Sequence, residues 1–233
     1  MTLEDLQTLG NAGVISLASP DPRVAVYWAP RGADPAAAAR FETVLAPAER
    51  ERAGRFGRDE LRQRYIVGRG TLRVVLGATL GVPAAEVAIV RGRRGRPELA
   101  GRSVDFNVTH TGDVMLLAVA RGVVVGVDVE HGDRTINAEG IARRCLTDDE
   151  RARLDDGDAA ARRRQVLRLW TCKEAMSKAT GDALAAPFRE LDVLLEPHLR
   201  LTRGPGHYDP PRWTLHALEA PAGYLATLAL WSR

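Results

Sequence analysis

The sequence predicts an α+β fold in two halves divided near residue 120, each mixing helices with antiparallel strands. Three observations carry this. Strand-sized apolar runs adjoin one another across tight turns, stretches with helical spacing lie between such runs, and no glycine-rich turn joins a strand to a helix as in a doubly wound sheet. Sequence alone reveals no convincing repeat between the halves.

Residues 1 to about 20 carry little pattern. Val24–Trp28 alternates as a short strand, Gly32–Pro35 reads as a turn, and a helix runs from Ala36 toward Leu45. Pro47 suits the first turn of the next helix, because its missing N–H has no helical partner there. Arg58–Leu80 is one long helix whose Leu61, Tyr65, Leu72, Val75 and Leu76 share a side, and Gly81-Val-Pro83 ends it. Val87–Val90 follows as a strand, then a Gly/Arg/Pro-rich loop from Arg91 to Gly101. Val114–Val119 and Val123–Val129 read as a β-hairpin across Arg121-Gly122. That pairing would bring His110, before its start, close to the carboxylates near its end. Ala138–Leu154 is helical with a break near Leu146, where Thr147 and Glu150 form a capping box. Asp155–Asp158 is a linker, Ala159–Ala179 a helix ended by Gly181, and Leu191–Leu195, Trp213–Leu218 and Tyr224–Trp231 are strands of a second sheet.

At 233 residues the chain has ample material for a core. No apolar run is long enough for a membrane span, and the mixed, acidic start reads as neither signal peptide nor lipid anchor. Cys145 and Cys172 lack metal-ligand spacing and fit a reducing cytoplasm. The net charge of +3 is modest, but arginines crowd residues 50–73 and 91–96. Such clusters suit phosphates or an acidic protein surface. Nucleic acid is disfavoured, since aromatics are scarce and not interleaved with the basic residues.

The chemistry concentrates in two stretches. In Gly126-Val-Asp-Val-Glu130 the two-residue period of a strand turns Asp128 and Glu130 to one face at the end of an apolar run. Two like charges there need a cation. A lysine or arginine would serve, and a hard divalent metal fits paired oxygens better. In Leu169-Trp-Thr-Cys-Lys-Glu-Ala-Met-Ser-Lys178, Glu174 and Lys178 are four apart and share a helix face. A third carboxylate and a lysine beside the first two make a metal and phosphate centre.

Four ordered motifs over roughly residues 50–181 resemble the 4′-phosphopantetheinyl transferase superfamily, in its larger class that modifies carrier proteins of peptide and polyketide synthases. They are Gly95-Arg96-Pro97, Phe106-Asn107-Val108-Thr109-His110, Gly126-Val127-Asp128-Val129-Glu130, and Trp170 through Lys173, Glu174 and Lys178 to Gly181. Thr109 stands where serine is commonest and keeps the hydroxyl. Arg96 replaces a lysine and keeps the charge with different geometry.

The resemblance implies a pseudodimer of two α+β halves, residues 1–120 with the nucleotide site and 121–233 with the carboxylates, and an active site between them. It implies Mg²⁺, or Mn²⁺ in its place, held by Asp128, Glu130 and Glu174, with coenzyme A as co-substrate. It assigns phosphate contacts to His110, Thr109 and Lys178 and the nucleotide end to Arg52, Arg96 and Pro97. Glu174, directly or through water, is the implied base, with Glu150 as the alternative. The expected partner is an apo acyl, peptidyl or aryl carrier protein with an acidic recognition helix, met by a cytoplasmic monomer that binds neither nucleic acid nor membrane. A non-catalytic module binding coenzyme A or an acidic protein would not need the carboxylate trio, and a generic Mg²⁺-dependent hydrolase would not need the motifs around His110 and Trp170.

Overall fold

The computed structural model describes residues 10–11, 13–101, 104–134 and 137–232. The N-terminal half begins with strands β1 (Ile15–Leu17) and β2 (Val24–Pro30). Helices α1 (Pro35–Glu42), α2 (Pro47–Gly54) and α3 (Asp59–Leu80) follow. A two-stranded ribbon, β3 (Ile89–Arg91) and β4 (Pro97–Leu99), then leads to strands β5 (Asp105–Thr111) and β6 (Val114–Ala120). The C-terminal half runs through β7 (Val124–His131), helices α4 (Ala138–Cys145), α5 (Asp148–Ala152) and α6 (Ala159–Thr180), ribbon β8 (Asp192–Leu194) and β9 (Arg200–Arg203), and strands β10 (Trp213–Leu218) and β11 (Tyr224–Trp231). None of the described helices is long and apolar enough to cross a membrane.

Both sheets are antiparallel, with strand orders β1-β2-β6-β5 and β10-β11-β7. Omitting β1, each half presents the same plan: a strand, helices, a ribbon and a hairpin whose second strand pairs with the first strand of the half. A repeat invisible in sequence is therefore plain in topology. One apolar layer lies between the halves, where Val24, Val26 and Trp28 meet Val125, Val127 and Val129. Each sheet's other face packs on its own long helix, Tyr27 and Ala29 against Leu72 and Leu76 on one side, Val124 and Ala229 against Cys172 and Met176 on the other.

The element boundaries follow local chemistry. Asp34 accepts hydrogen bonds from Ala36 N and Ala37 N, satisfying two of the unpaired donors at the start of α1. Asp158 and Thr147 cap α6 and α5 in the same way. Both long helices end in a left-handed glycine, Gly81 at φ 71° and Gly181 at φ 75°, a conformation with no steric cost for glycine alone.

The expected hairpin between Val114–Val119 and Val123–Val129 does not form. β6 is flanked on both edges, by β2 and β5, so its backbone groups are already paired and β7 crosses to the other sheet beside β11. The hairpin partner of β6 is β5, which holds the Phe106–His110 motif. The third N-terminal strand starts at Ile89 instead of Val87, and the arginine-rich loop contains the strand Pro97–Leu99.

Candidate active site

β5 and β7 run along the border of the two halves without a backbone ladder between them. Side chains take its place. Val125 N–H donates to Asp105 Oδ2 (2.7 Å) and Val127 N–H to Asn107 Oδ1 (3.1 Å). Thr109 Oγ1 donates to Asp128 Oδ1 (2.9 Å) and Thr111 Oγ1 to Glu130 Oε2 (3.3 Å). Asp105, Asn107, Thr109 and Thr111 are every second residue of one strand and hence one face. Their polar side chains at every second position, in an alternation broken only by His110 between the last two, are a signal that sequence reading passed over.

On β7 the even positions face α6. A Cβ at Gly126 would stand 1.9 Å from Ala175 O, so only glycine lets the strand approach the helix this closely. The approach sets Asp128 opposite Lys178, whose Nζ donates to Asp128 Oδ1 (2.6 Å) and Thr109 Oγ1 (2.9 Å). Asp128, Thr109 and Lys178 thus meet, with Glu130 two residues along β7 and Glu174 one turn back on α6. Glu130 is gripped at both oxygens by Arg134 Nη1, each at 2.7 Å. Sequence reading did not find Arg134.

The electrostatics agree with a carboxylate cluster. Burial pushes the Asp128 carboxyl above its ordinary range; Lys178 opposes that and Glu130 adds to it. Burial also raises Glu174, against Lys178 and together with the charges of Asp128 and Glu130. Desolvation, then the charges of Arg31 and Lys178, hold His110 below its ordinary value. His110 lies on the alternate face of β5 from Thr109, exposed at the rim of the site, where those two cations influence it.

Among the described residues, no three acidic, histidine or cysteine side chains are drawn together as an ion-ligating set. Lys178 and Arg134 hold the oxygens of Asp128 and Glu130 instead. The donors nevertheless fit a hard divalent cation. All three are carboxylates, they repel one another across one site, and Asp128 Oδ2 is buried without a hydrogen-bond partner.

Two expected site residues have their side chains engaged by internal groups. Arg96 points into the border of the halves, where its guanidinium binds Asp105 at two oxygens (3.0 and 2.7 Å), Lys178 O (2.9 Å) and Val125 O (3.0 Å). It is not directed at an open nucleotide site, because a planar fork with five donors is drawn to a carboxylate and nearby carbonyls. Glu150 is internal as well. It accepts from Thr147 N (2.8 Å), Val193 N (2.8 Å) and Lys173 Nζ (2.6 Å), and the side chains of both Glu150 and Lys173 are 0% exposed. Its capping-box role is realised, and its carboxylate is engaged by internal donors.

Arg52 lies on the N-terminal half, its guanidinium 5.4 Å from the centre of the Tyr65 ring. It lines a cavity of about 340 Å³ together with Arg69, Arg73, Arg91, Gly95 and Pro97. This hollow is bounded by α2, α3 and the ribbon, and a second cavity of about 620 Å³ beside it is lined by Arg52, Arg55 and Arg91. Pro97 lines the smaller of the two while its neighbour Arg96 turns away.

The halves also match known families separately. Residues 26–121 match a family model described as 4′-phosphopantetheinyl transferase, N-terminal, and residues 124–229 one described as 4′-phosphopantetheinyl transferase superfamily. The chain is 33% identical over 191 residues to the 4′-phosphopantetheinyl transferase HetI of Nostoc sp., covering 80% of this chain and 78% of that protein. It is 26% identical to the 4′-phosphopantetheinyl transferase Sfp of Bacillus subtilis, over 67% of this chain and 69% of Sfp. It is 27% identical to the human L-aminoadipate-semialdehyde dehydrogenase-phosphopantetheinyl transferase, over 73% of this chain and 58% of that protein. A border lined by motif residues, two halves of one plan and matches to both halves lead to one assignment: the chain belongs to the 4′-phosphopantetheinyl transferase superfamily, and it is a phosphopantetheinyl transferase.

Proposed function

We propose that the chain moves the 4′-phosphopantetheine group of coenzyme A onto a serine hydroxyl of an apo carrier protein, with Asp128, Glu130, Glu174, Lys178, Thr109 and His110 as its working residues. The observation that carries this is Lys178, tied at once to the hydroxyl of the second motif and the carboxylate of the third. A cation in that position sits where phosphoryl oxygens need one.

Asp128, Glu130 and Glu174 would hold Mg²⁺, which when bound supplies positive charge against the pyrophosphate oxygens. The carrier serine oxygen attacks the β-phosphorus, the bond to the bridging oxygen breaks, and 3′,5′-ADP departs. Lys178 can exchange Asp128 for a phosphate oxygen, and His110 at the rim donates to another. Glu174 takes the serine proton; the burial that raises its pKa suits a base. Arg52, Arg69 and Arg91 around the basic cavity support binding of the phosphates at the nucleotide end. Exposed Arg55 and Arg58 beside it favour a carrier with an acidic helix.

The test is the intact mass of apo carrier proteins incubated with the chain, coenzyme A and Mg²⁺. The expected result is a gain of one phosphopantetheine group, lost with EDTA and in Glu174→Ala. Absence of any gain across peptide, polyketide and fatty-acid carriers, with coenzyme A binding demonstrated, would instead favour a binding module.

A further inference from the structure

We infer that Arg96 and Asp105 form an internal latch that positions Lys178, and that the Arg96 guanidinium makes no contact with coenzyme A. Four pieces of the fold converge on this pair. Arg96 belongs to the loop before β4, Asp105 opens β5, Val125 lies in β7, and Lys178 lies in the last turn of α6. The last turn of any helix leaves carbonyls without a helical donor. Arg96 Nε fills that need at Lys178 O (2.9 Å). Its two terminal nitrogens fork onto Asp105 (3.0 and 2.7 Å), and one of them also reaches Val125 O (3.0 Å) and Phe106 O (3.3 Å). Asp105 Oδ2 in turn accepts Val125 N–H (2.7 Å). The guanidinium is therefore spent on internal acceptors, and Arg96 is only 8% exposed.

The same loop is fastened a second time. Arg93 and Arg94 reach Asp182 Oδ1 at 3.1 and 3.2 Å, and Arg94 also donates to Asp182 O. Asp182 directly follows the glycine that ends α6. The loop thus straps the end of the helix carrying Lys178 to the strand carrying Thr109, and Lys178 Nζ spans that same gap. A lysine at position 96 has one ammonium and no planar fork, so it cannot bridge Asp105, Lys178 O and Val125 O together. Arg96 is a positioning residue here.

Two measurements test this, the second resting on the transferase reading and the first independent of it. In the wild-type protein without coenzyme A, NMR should find the Arg96 Nε–H slowly exchanging, its shift unmoved when coenzyme A is added. Fast exchange that becomes protected or shifted by coenzyme A would overturn the latch. In kinetics, Arg96→Lys and Asp105→Asn should each lower kcat on the order of 10- to 100-fold by misplacing Lys178. KM for coenzyme A should stay near the wild-type value, and the double variant should be no worse than the more damaging single one. A raised KM at constant kcat in Arg96→Lys with Asp105→Asn silent, or an unchanged kcat in both, would overturn it. Should the wild type modify no carrier, the transferase reading fails while the NMR result still decides the latch.

Discussion

The two halves share a buried ion pair, and the contrast between the pairs separates scaffold from chemistry. In the N-terminal half Glu49, in the first turn of α2, accepts Ala46 N–H (2.9 Å) and binds Arg69 and Arg73. Arg73 also donates to the carbonyls of Ala84, Ala85 and Val87. In the C-terminal half Glu150, in the first turn of α5, accepts Thr147 N–H and binds Lys173, which also donates to the carbonyls of Cys145 and Phe188. Both cations sit at matching places in 22-residue helices that end in left-handed glycines. The pairs pin a short helix, a long helix and the chain that follows it. Their recurrence at equivalent places argues for a scaffold role of Glu150.

The surroundings differ. Where α6 carries Glu174 and Lys178, the corresponding turns of α3 carry Val74 and Ala78. The helix-facing side of β2 holds Tyr27 and Ala29, whereas that of β7 holds Gly126, Asp128 and Glu130. The hollow beside Glu49 is lined by Arg52, Arg69 and Arg91, while the hollow beside Glu150, about 230 Å³, is lined by Leu154, Leu169 and Leu195. The N-terminal half carries the arginine-lined hollow and the polar face of β5, and the C-terminal half carries the carboxylates of β7 and α6. Their apposition makes the site.

The comparison can be broken most strongly at the C-terminal pair. Lys173→Met leaves a buried carboxylate unpaired and should cost about 3–5 kcal/mol, read by chemical denaturation. Restoring stability with Glu150→Leu in the same chain would confirm a pair. Glu150→Gln should also lower stability yet leave kcat within a fewfold of wild type at temperatures where the variant is folded; a kcat collapse in a fully folded variant would return Glu150 to the catalytic roll.

Next in size is Gly126→Ala. The added methyl meets the backbone of α6, which cannot rotate away, so the strand must shift by overpacking at about 1–3 kcal/mol. Because the shift separates Asp128 from Lys178, transfer activity should fall further than stability. A variant with lowered melting temperature and undiminished activity would detach the close approach from function.

The smallest effect sharpens the N-terminal side. Burial works to raise the Glu49 carboxyl, but hydrogen bonds and charges from Arg73, Ala46 N–H and Arg69 outweigh it, so its pKa lies below the ordinary value. A depressed folded-state pKa contributes stability that is present above the unfolded-state pKa and is lost as pH falls through the folded one. Glu49→Gln should therefore lower the melting temperature at pH 7 and flatten its decline on acidification. An acid limb as steep as that of the wild type would locate the sensitivity elsewhere.

The long helices, the glycines that end them, the strands flanking the motifs and the shared face of Asp128 and Glu130 are legible in the sequence. All of these follow from periodicities of 2 and 3.6 and from end residues, which act over a few positions. It also carried the motifs by which the family is legible. Tertiary structure alone decided what the polar side chains grip. Arg96 lies 82 residues from Lys178 and Glu150 23 from Lys173, and nothing local distinguishes an arginine aimed at solvent from one buried in a border. The separation of β6 from β7 was likewise a matter of edges: β6 reads like any apolar strand, and only the presence of β2 and β5 on its two sides leaves β7 to the other sheet. Backbone period is a local property, whereas satisfaction of a buried charge or a strand edge depends on whichever distant group the topology delivers.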